Sequence, residues 1–174
     1  MKKTIIALLT LLFPILVQAQ ADIIKKHSGE TINGKVLKVD EYTVIFSYEN
    51  EDAQSTLSKY AIEKITYGKS GRVEEVTEKI NVRSEDDWEK VMIFEEKSYI
   101  VGLKKEGDIK GKTSLINYHS GNTGDRKAEK KMKMAAAAMK CPFVLMTSDK
   151  MTVGGSSNSL GGSQVIKKGI AYKY

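Results

Sequence analysis

The residues best suited to chemistry in this 174-residue chain lie in one segment, RKAEKKMKMAAAAMKCPFVLMTSD, at residues 126–149. At about 100° per residue, its alanines and methionines form one stripe of a helix, and several long basic side chains fall away from that stripe. These basic residues are the candidate contact residues for a partner or an anionic surface: Arg126, Lys130, Lys133 and Lys140. The alternative is that they form only the solvated side of a packed helix.

The opposite stripe predicts how this helix is held. Small alanine side chains let a helix backbone approach a sheet, and methionine fills irregular gaps, so the stripe favours packing. Its residues are Ala128, Met132, Ala135, Ala136 and Met139. Thr123 or Asp125 can cap the start of the helix, and Pro142 is expected to stop it.

Other reactive residue types are sparse. His27 and His119 lie in polar contexts beside glycine in different halves of the chain, which is typical of surface loops. Cys141, the single cysteine, lies among apolar residues where a helix ends, which predicts a buried, inert thiol. Nucleophile-elbow, zinc-protease and phosphate-loop motifs are missing, and the glycine-rich GGSSNSLGGS lacks the lysine of a phosphate loop. We therefore expect no enzyme activity, no cofactor and no metal site.

The first residues read as an export signal. MKKTIIALLTLLFPILVQAQA has two lysines, an apolar run and small residues before a cleavage point after Ala19, so residues 1–19 are predicted to be a signal peptide. Gln20 stands where a lipoprotein would carry cysteine, so lipidation is not expected. No later apolar run reaches the roughly 20 residues of a membrane span. The mature chain is therefore expected to be periplasmic or secreted, without a transmembrane helix.

Charge divides the mature chain. Residues 20–80 carry nine Lys or Arg against eleven Asp or Glu, whereas residues 81–174 carry seventeen against eleven. This asymmetry favours two domains, and a lone cysteine means that each must rely on its hydrophobic core. The predicted boundaries are a small β-barrel at 20–70, a linker at 71–88 and a second, α/β domain at 89–174.

Short strands separated by turns predict the first domain. Alternation is clear in Ile32, Val36 and Val39, and again from Val44 to Tyr48, and Gly34 suggests a sharp bend. The stretches SGETINGKVLKVDEYTVIF and SKYAIEKI resemble the two motifs of the Sm-like barrel family, in which Gly29, Gly34, Asp40 and Ile62 match.

The resemblance implies a small Sm-like or SH3-like barrel, in a family that typically binds RNA. The RNA role is not expected here, because this half is net acidic and nucleic-acid affinity depends on neutralising phosphates. Lys59 and Tyr60, which match the basic and aromatic cluster of the family, are read as a solvated turn. No nucleic-acid partner is predicted.

The second half predicts strands, one long helix and further strands, in an overall α+β chain. VMIF, YIVGLKK and DIKGKTSL read as extended segments before the helix, and FVLMTSD and QVIKKGIAYKY read as extended segments after it. Trp88, the only tryptophan, precedes the first apolar run and is expected to pack at the edge of this core. A ligand-stacking role is the alternative for Trp88.

This half resembles the βαβ envelope domain of the outer-membrane lipoprotein that senses stress in the Rcs system, and also YbjQ-type proteins. GDIKGKTS, the helix segment and the closing QVIKKGIAYKY carry the resemblance. The chain departs from the sensor because Cys141 alone cannot form its disulfides and Gln20 cannot be lipidated. The whole chain also resembles small exported proteins of Bacteroidetes.

Together these features predict an exported, non-enzymatic envelope protein that acts through protein–protein contacts, in envelope stress sensing or maintenance. The alternative is a binder of lipopolysaccharide or membrane through the basic helix face. Envelope proteins are the expected partners in the first case and anionic envelope lipid in the second.

Overall fold

The computed structural model describes residues 20–113, 121–153 and 163–174. These residues form a mixed α+β structure with two β-sheets and one long helix, as the sequence predicts. None of the helices within these ranges is long and apolar enough to cross a membrane. The predicted signal peptide and His119 lie outside the described residues, and so does nearly all of the glycine-rich segment GGSSNSLGGS.

The first sheet has six antiparallel strands in the order β4-β3-β2-β1-β5-β6. In chain order the strands are β1 (Asp22–Lys26), β2 (Thr31–Val39), β3 (Thr43–Tyr48), β4 (Gln54–Ser58), β5 (Ile62–Thr66) and β6 (Val73–Glu75). A single 3₁₀ turn, Lys59–Ala61, joins β4 to β5 and is capped by the Ser58 hydroxyl, which accepts the Tyr60 N–H at 3.2 Å.

This sheet is open, so the predicted Sm-like barrel is not confirmed. Closure would require the two edge strands, β4 and β6, to pair with each other, and they do not pair. The last residue of β4, Ser58, donates its N–H to the Val101 carbonyl at 2.9 Å. The free side of β5 pairs instead with β6, from Lys64 opposite Glu75 to Thr66 opposite Val73.

The predicted alternation accounts for the core of the first sheet. Ile32, Val44 and Phe46 are buried as expected, whereas Tyr48 at the end of β3 is exposed. The register of β2 against β3 shifts between Val36 and Lys38, so Leu37 is an extra, bulged residue. The bulge explains how Val36 and Val39, three positions apart, both pack against the core.

Gly34 is required for a close approach rather than for a turn. A Cβ at this position would lie 2.2 Å from the Ser47 carbonyl oxygen on the neighbouring strand. Any side chain would therefore push β2 away from β3.

The second sheet has four strands in the order β7-β9-β10-β8. They are β7 (Met92–Phe94), β8 (Lys104–Lys112), β9 (Phe143–Val153) and β10 (Ser163–Lys173), and helix α1 (Gly121–Ala138) lies between β8 and β9 in the chain. The segment YIVGLKK was predicted to be extended, but its first two residues belong to a 3₁₀ helix, Lys97–Ile100. Only the last two residues of the segment are extended, at the start of β8.

Strand β10 lies between β8 and β9 and is antiparallel to both. Strands β8 and β9 therefore run in the same direction, and α1 connects them as a split β-α-β unit. This arrangement positions α1 across one face of the sheet, above β8 and β10.

The helix packs through the predicted stripe. Ala128, Met132 and Ala136 are fully buried, and Met139 packs partly buried against the same core. A Cβ at Gly111 on β8 would lie 1.9 Å from the Ala128 carbonyl oxygen, so this glycine lets the helix lie directly on the strand.

The predicted helix start is corrected by the structure. The helix begins at Gly121, so Thr123 and Asp125 lie inside it and neither is the N-cap residue. It ends at Ala138, before the predicted stop at Pro142, because Lys140 adopts a left-handed conformation with φ of 57°. The sequence placed the helix correctly but not its ends.

Residues 71–88, predicted to be a linker, are packed onto both cores. Strand β6 belongs to the first sheet, and Val76 packs against the first core. Val82 is buried in the core beneath α1, with Ile80 and Trp88 packed beside it. The division into two domains stays a prediction, and this segment connects them through contacts along its length.

Candidate functional site

The basic residues of α1 meet a short turn that carries Trp88. This 3₁₀ helix, Glu85–Lys90, is held by Asp87, whose carboxylate accepts the Arg83 N–H at 2.9 Å and Lys90 Nζ at 2.5 Å. The hydrogen bond from Lys90, followed by the one from the Arg83 backbone, lowers the pKa of Asp87. The turn is therefore fixed at two points.

Trp88 lies against the side chain of Lys130. Lys130 Nζ stands 4.5 Å from the centroid of the indole ring, which is the geometry of a cation–π contact. Around this pair lies an open cleft of about 560 Å³, which we call the basic groove. Its lining residues are Trp88, Thr123, Arg126, Lys127, Glu129, Lys130 and Lys133.

Three of the four predicted contact residues line the basic groove: Arg126, Lys130 and Lys133. The structure adds Lys127, which the sequence analysis did not select because only tertiary packing decides where Trp88 meets the helix. Trp88 packs at the edge of the second core, as predicted, and one face of its ring is already covered by Lys130.

Lys140 lies away from the groove. It lies beyond the end of α1 at Ala138, and that end is itself about 12 Å from Lys130 along the helix axis. Its backbone N–H donates to the Ala137 carbonyl at 2.8 Å, and the Cys141 N–H donates to the Ala136 carbonyl at 3.0 Å. This is a Schellman-type ending, so the backbone of Lys140 terminates the helix.

The basic groove carries excess positive charge. Lys133 forms an ion pair with Glu129 at 3.6 Å, and its side chain is 21% exposed. Within the described residues, Arg126 and Lys127 form no ion pair and are exposed. Both lie in the N-terminal half of α1. The groove is suited to carboxylate or phosphate groups.

Lys167 fixes the same end of the helix to the sheet. Its side chain is 4% exposed, and Nζ lies 2.9 Å from Asp125 of α1 and 2.6 Å from Asp149 of β9. Burial alone would lower the pKa of Lys167, but the hydrogen bonds that its ammonium group donates to both aspartates outweigh this effect and raise the pKa. The sequence analysis did not select this residue, although alternation places it on the inward face of β10 with Val165 and Ala171.

Two residues that the sequence placed on the surface are packed. Tyr60, predicted in a solvated turn, lies half-buried with its ring 5.0 Å from Phe94 and 5.7 Å from Phe143, and burial raises its pKa. His27, predicted in a surface loop, is half-buried, with Nε2 3.1 Å from the Thr77 hydroxyl. Both belong to the junction between the sheets.

Cys141 is fully buried, as predicted, and burial raises the pKa of its thiol. Among the residues that the structure describes, no group of His, Cys, Asp and Glu side chains is arranged to hold a metal ion.

No protein-family model matches the chain, and no curated protein matches it in sequence. The function must therefore be argued from the site itself.

Proposed function

We propose that this protein is an exported, non-enzymatic component of the cell envelope that acts by binding an acidic segment of another envelope protein in the basic groove. Its role would be in envelope stress sensing or maintenance. The resemblance of the second half to the Rcs sensor domain supports action through contacts rather than catalysis.

The single observation that carries this proposal is the groove itself, in which cationic side chains and Trp88 surround a concave surface. A concave surface fits an extended acidic segment, and a carboxylate there can contact several cations at once. Indole and guanidinium groups are also enriched where binding energy concentrates in protein interfaces.

An anionic lipid surface is the second candidate. Three basic side chains of α1 are exposed to solvent: Arg126, Lys127 and Lys131. A membrane or lipopolysaccharide surface could contact them without entering the basic groove. Such binding would depend on charge alone and would weaken steeply as salt rises.

The test compares two variants that remove the same charge from different places. The groove variant combines Arg126→Gln, Lys130→Gln and Lys133→Gln, which removes three cations from the basic groove. The matched control replaces Lys110, Lys112 and Lys168 with glutamine. The control residues are exposed on strands of the second sheet. Cross-linking from position 127 in the native envelope, read by mass spectrometry, supplies defined partners for binding measurements.

We expect the groove variant to bind the purified, cross-linked partner at least about tenfold more weakly, and the control to bind like the parent. Loss of binding to phosphatidylglycerol vesicles instead of to a protein would favour the second candidate. Equal binding by parent, groove variant and control would overturn both.

A further inference from the structure

The first sheet carries a second groove, about 1190 Å³ in volume, along β2, β3 and the start of β1. Leu37 and Tyr48 line it, and each is 42% exposed. They are two of only five large hydrophobic residues exposed in the described part of the chain. The bulge in β2 places Leu37 there, and exposed apolar side chains that share one groove are typical of a contact surface.

Acidic side chains surround this apolar floor, so we call it the acidic groove. Glu49, Glu51 and Asp52 are exposed on the turn after β3, and none of them forms an ion pair among the described residues. Asp22 also lines the groove but accepts the N–H groups of Val36 and Gly68. Lys35 and Lys69 offset only part of this negative charge.

The exposed ridge of α1 has the complementary pattern. Lys127 and Lys131 are exposed and form no ion pair within the described residues. Met134 and Ala138 follow at helical spacing on the same side, and Met134 is only half-buried while Ala138 is exposed. The ridge therefore carries cations at one end and apolar side chains at the other.

We propose that the ridge of α1 in one copy of the protein docks in the acidic groove of a second copy. Lys127 and Lys131 then contact the acidic turn, and Met134 packs against Leu37 and Tyr48. An amphipathic helix in a groove is an established recognition mode, and methionine adapts well to such surfaces. Charge complementarity between the two halves of one sequence identifies the occupant as a second copy.

The contact joins two different surfaces, so assembly is head-to-tail, and the assembly keeps one ridge free at one end and one acidic groove free at the other. The inference rests on the proposed function in one respect, since both use the basic side of α1. The acidic groove belongs to this inference alone, which allows the two to be separated.

The experiment uses the full mature chain and measures its molar mass by light scattering over a concentration series. One variant neutralises the groove with Glu49→Gln, Glu51→Gln and Asp52→Asn. The other neutralises the ridge with Lys127→Gln and Lys131→Gln. We expect the parent to self-associate, more strongly at low salt, and each variant alone to be monomeric, with self-association weakened at least about tenfold.

Mixing the two variants provides the decisive readout, because the mixture still contains one intact ridge and one intact groove. We expect a one-to-one complex that grows no further. A monomeric parent, self-association of either variant at parental strength, or a mixture that stays monomeric would overturn the inference. The acidic-groove variant, with Glu49, Glu51 and Asp52 neutralised, should still bind the envelope partner of the basic groove. If self-association is not observed, the proposed function can therefore still be tested. Circular dichroism checks that each variant is folded.

Discussion

At the scale of single residues, Lys167 is the buried contact that attaches the N-terminal part of α1 to the second sheet, close to the basic groove. It is buried and joins Asp125, beside Arg126 on α1, to Asp149 on β9. The two aspartates are about half exposed, so water can solvate them when the lysine is removed. The cost of removing Lys167 is therefore the loss of its charged hydrogen bonds, without the additional penalty of leaving a carboxylate buried and unpaired.

We predict that Lys167→Met lowers the free energy of unfolding by roughly 1 to 3 kcal/mol, because methionine keeps the volume but not the two hydrogen bonds. Since the pKa of Lys167 is raised in the folded state, its contribution should be present below about pH 10 and be lost as pH rises through the folded pKa. Urea titrations of parent and variant at neutral pH measure the difference. Equal stability of the parent and Lys167→Met would contradict this prediction.

At the scale of elements, the turn after β1 meets the end of β10. The His27 ring contacts Tyr174 edge-on at 4.9 Å, and the Tyr174 hydroxyl accepts the Ile80 N–H at 2.9 Å. Lys79 Nζ donates to the His27 carbonyl at 3.3 Å and lies over the Tyr174 ring. The titratable residue His27 therefore lies at the contact between the first sheet and the residue that follows β10, Tyr174.

We predict that this junction weakens in mild acid. Burial is the largest influence and lowers the pKa of His27, with Lys79 and Lys25 acting in the same direction and Glu63 opposing them. A lowered folded pKa means that stability is complete above the unfolded value of about 6.5 and falls as pH drops through the folded pKa.

Chemical denaturation of the parent and of His27→Gln at pH 7.5 and pH 5 tests this effect, above the range where most carboxylates titrate. We expect the parent to lose more stability than the variant between the two pH values. Parallel losses would assign the pH dependence to other groups.

For the whole molecule, aromatic side chains join the two sheets. Phe94 and Phe143 lie with ring centroids 6.0 Å apart, Tyr60 contacts both, and Tyr42 lies 4.5 Å from Tyr99. The Ser58 hydroxyl donates to the Tyr99 carbonyl at 2.6 Å at the same junction. The two sheets are therefore expected to unfold together.

We predict that Tyr60→Ala lowers the free energy of unfolding by roughly 2 to 4 kcal/mol and uncouples the two halves, because it removes the ring that touches both phenylalanines. Trp88 fluorescence reports on the second half, and far-ultraviolet circular dichroism reports on the whole chain. Their denaturation curves should coincide in the parent and separate in the variant. Separate curves in the parent would mean that the halves are independent.

Much of the architecture could be read from local patterns. The stripe from Ala128 to Met139 and the alternation from Val44 to Phe46 required only the periodicities of helix and strand. The segregation of charge between the halves is likewise a property of the sequence alone. Three residues of the basic groove were found because they share one face of one helix.

What only the tertiary structure decided involves partners far apart in the chain. Trp88 lies against Lys130, Lys167 reaches Asp125, and Ser58 donates its N–H to the Val101 carbonyl. Periodicity states which face of an element is apolar but not which other element will cover it. The sequence therefore determined the helix, most of the strands and their charge, whereas docking of distant segments determined the basic groove and the surroundings of the buried lysine.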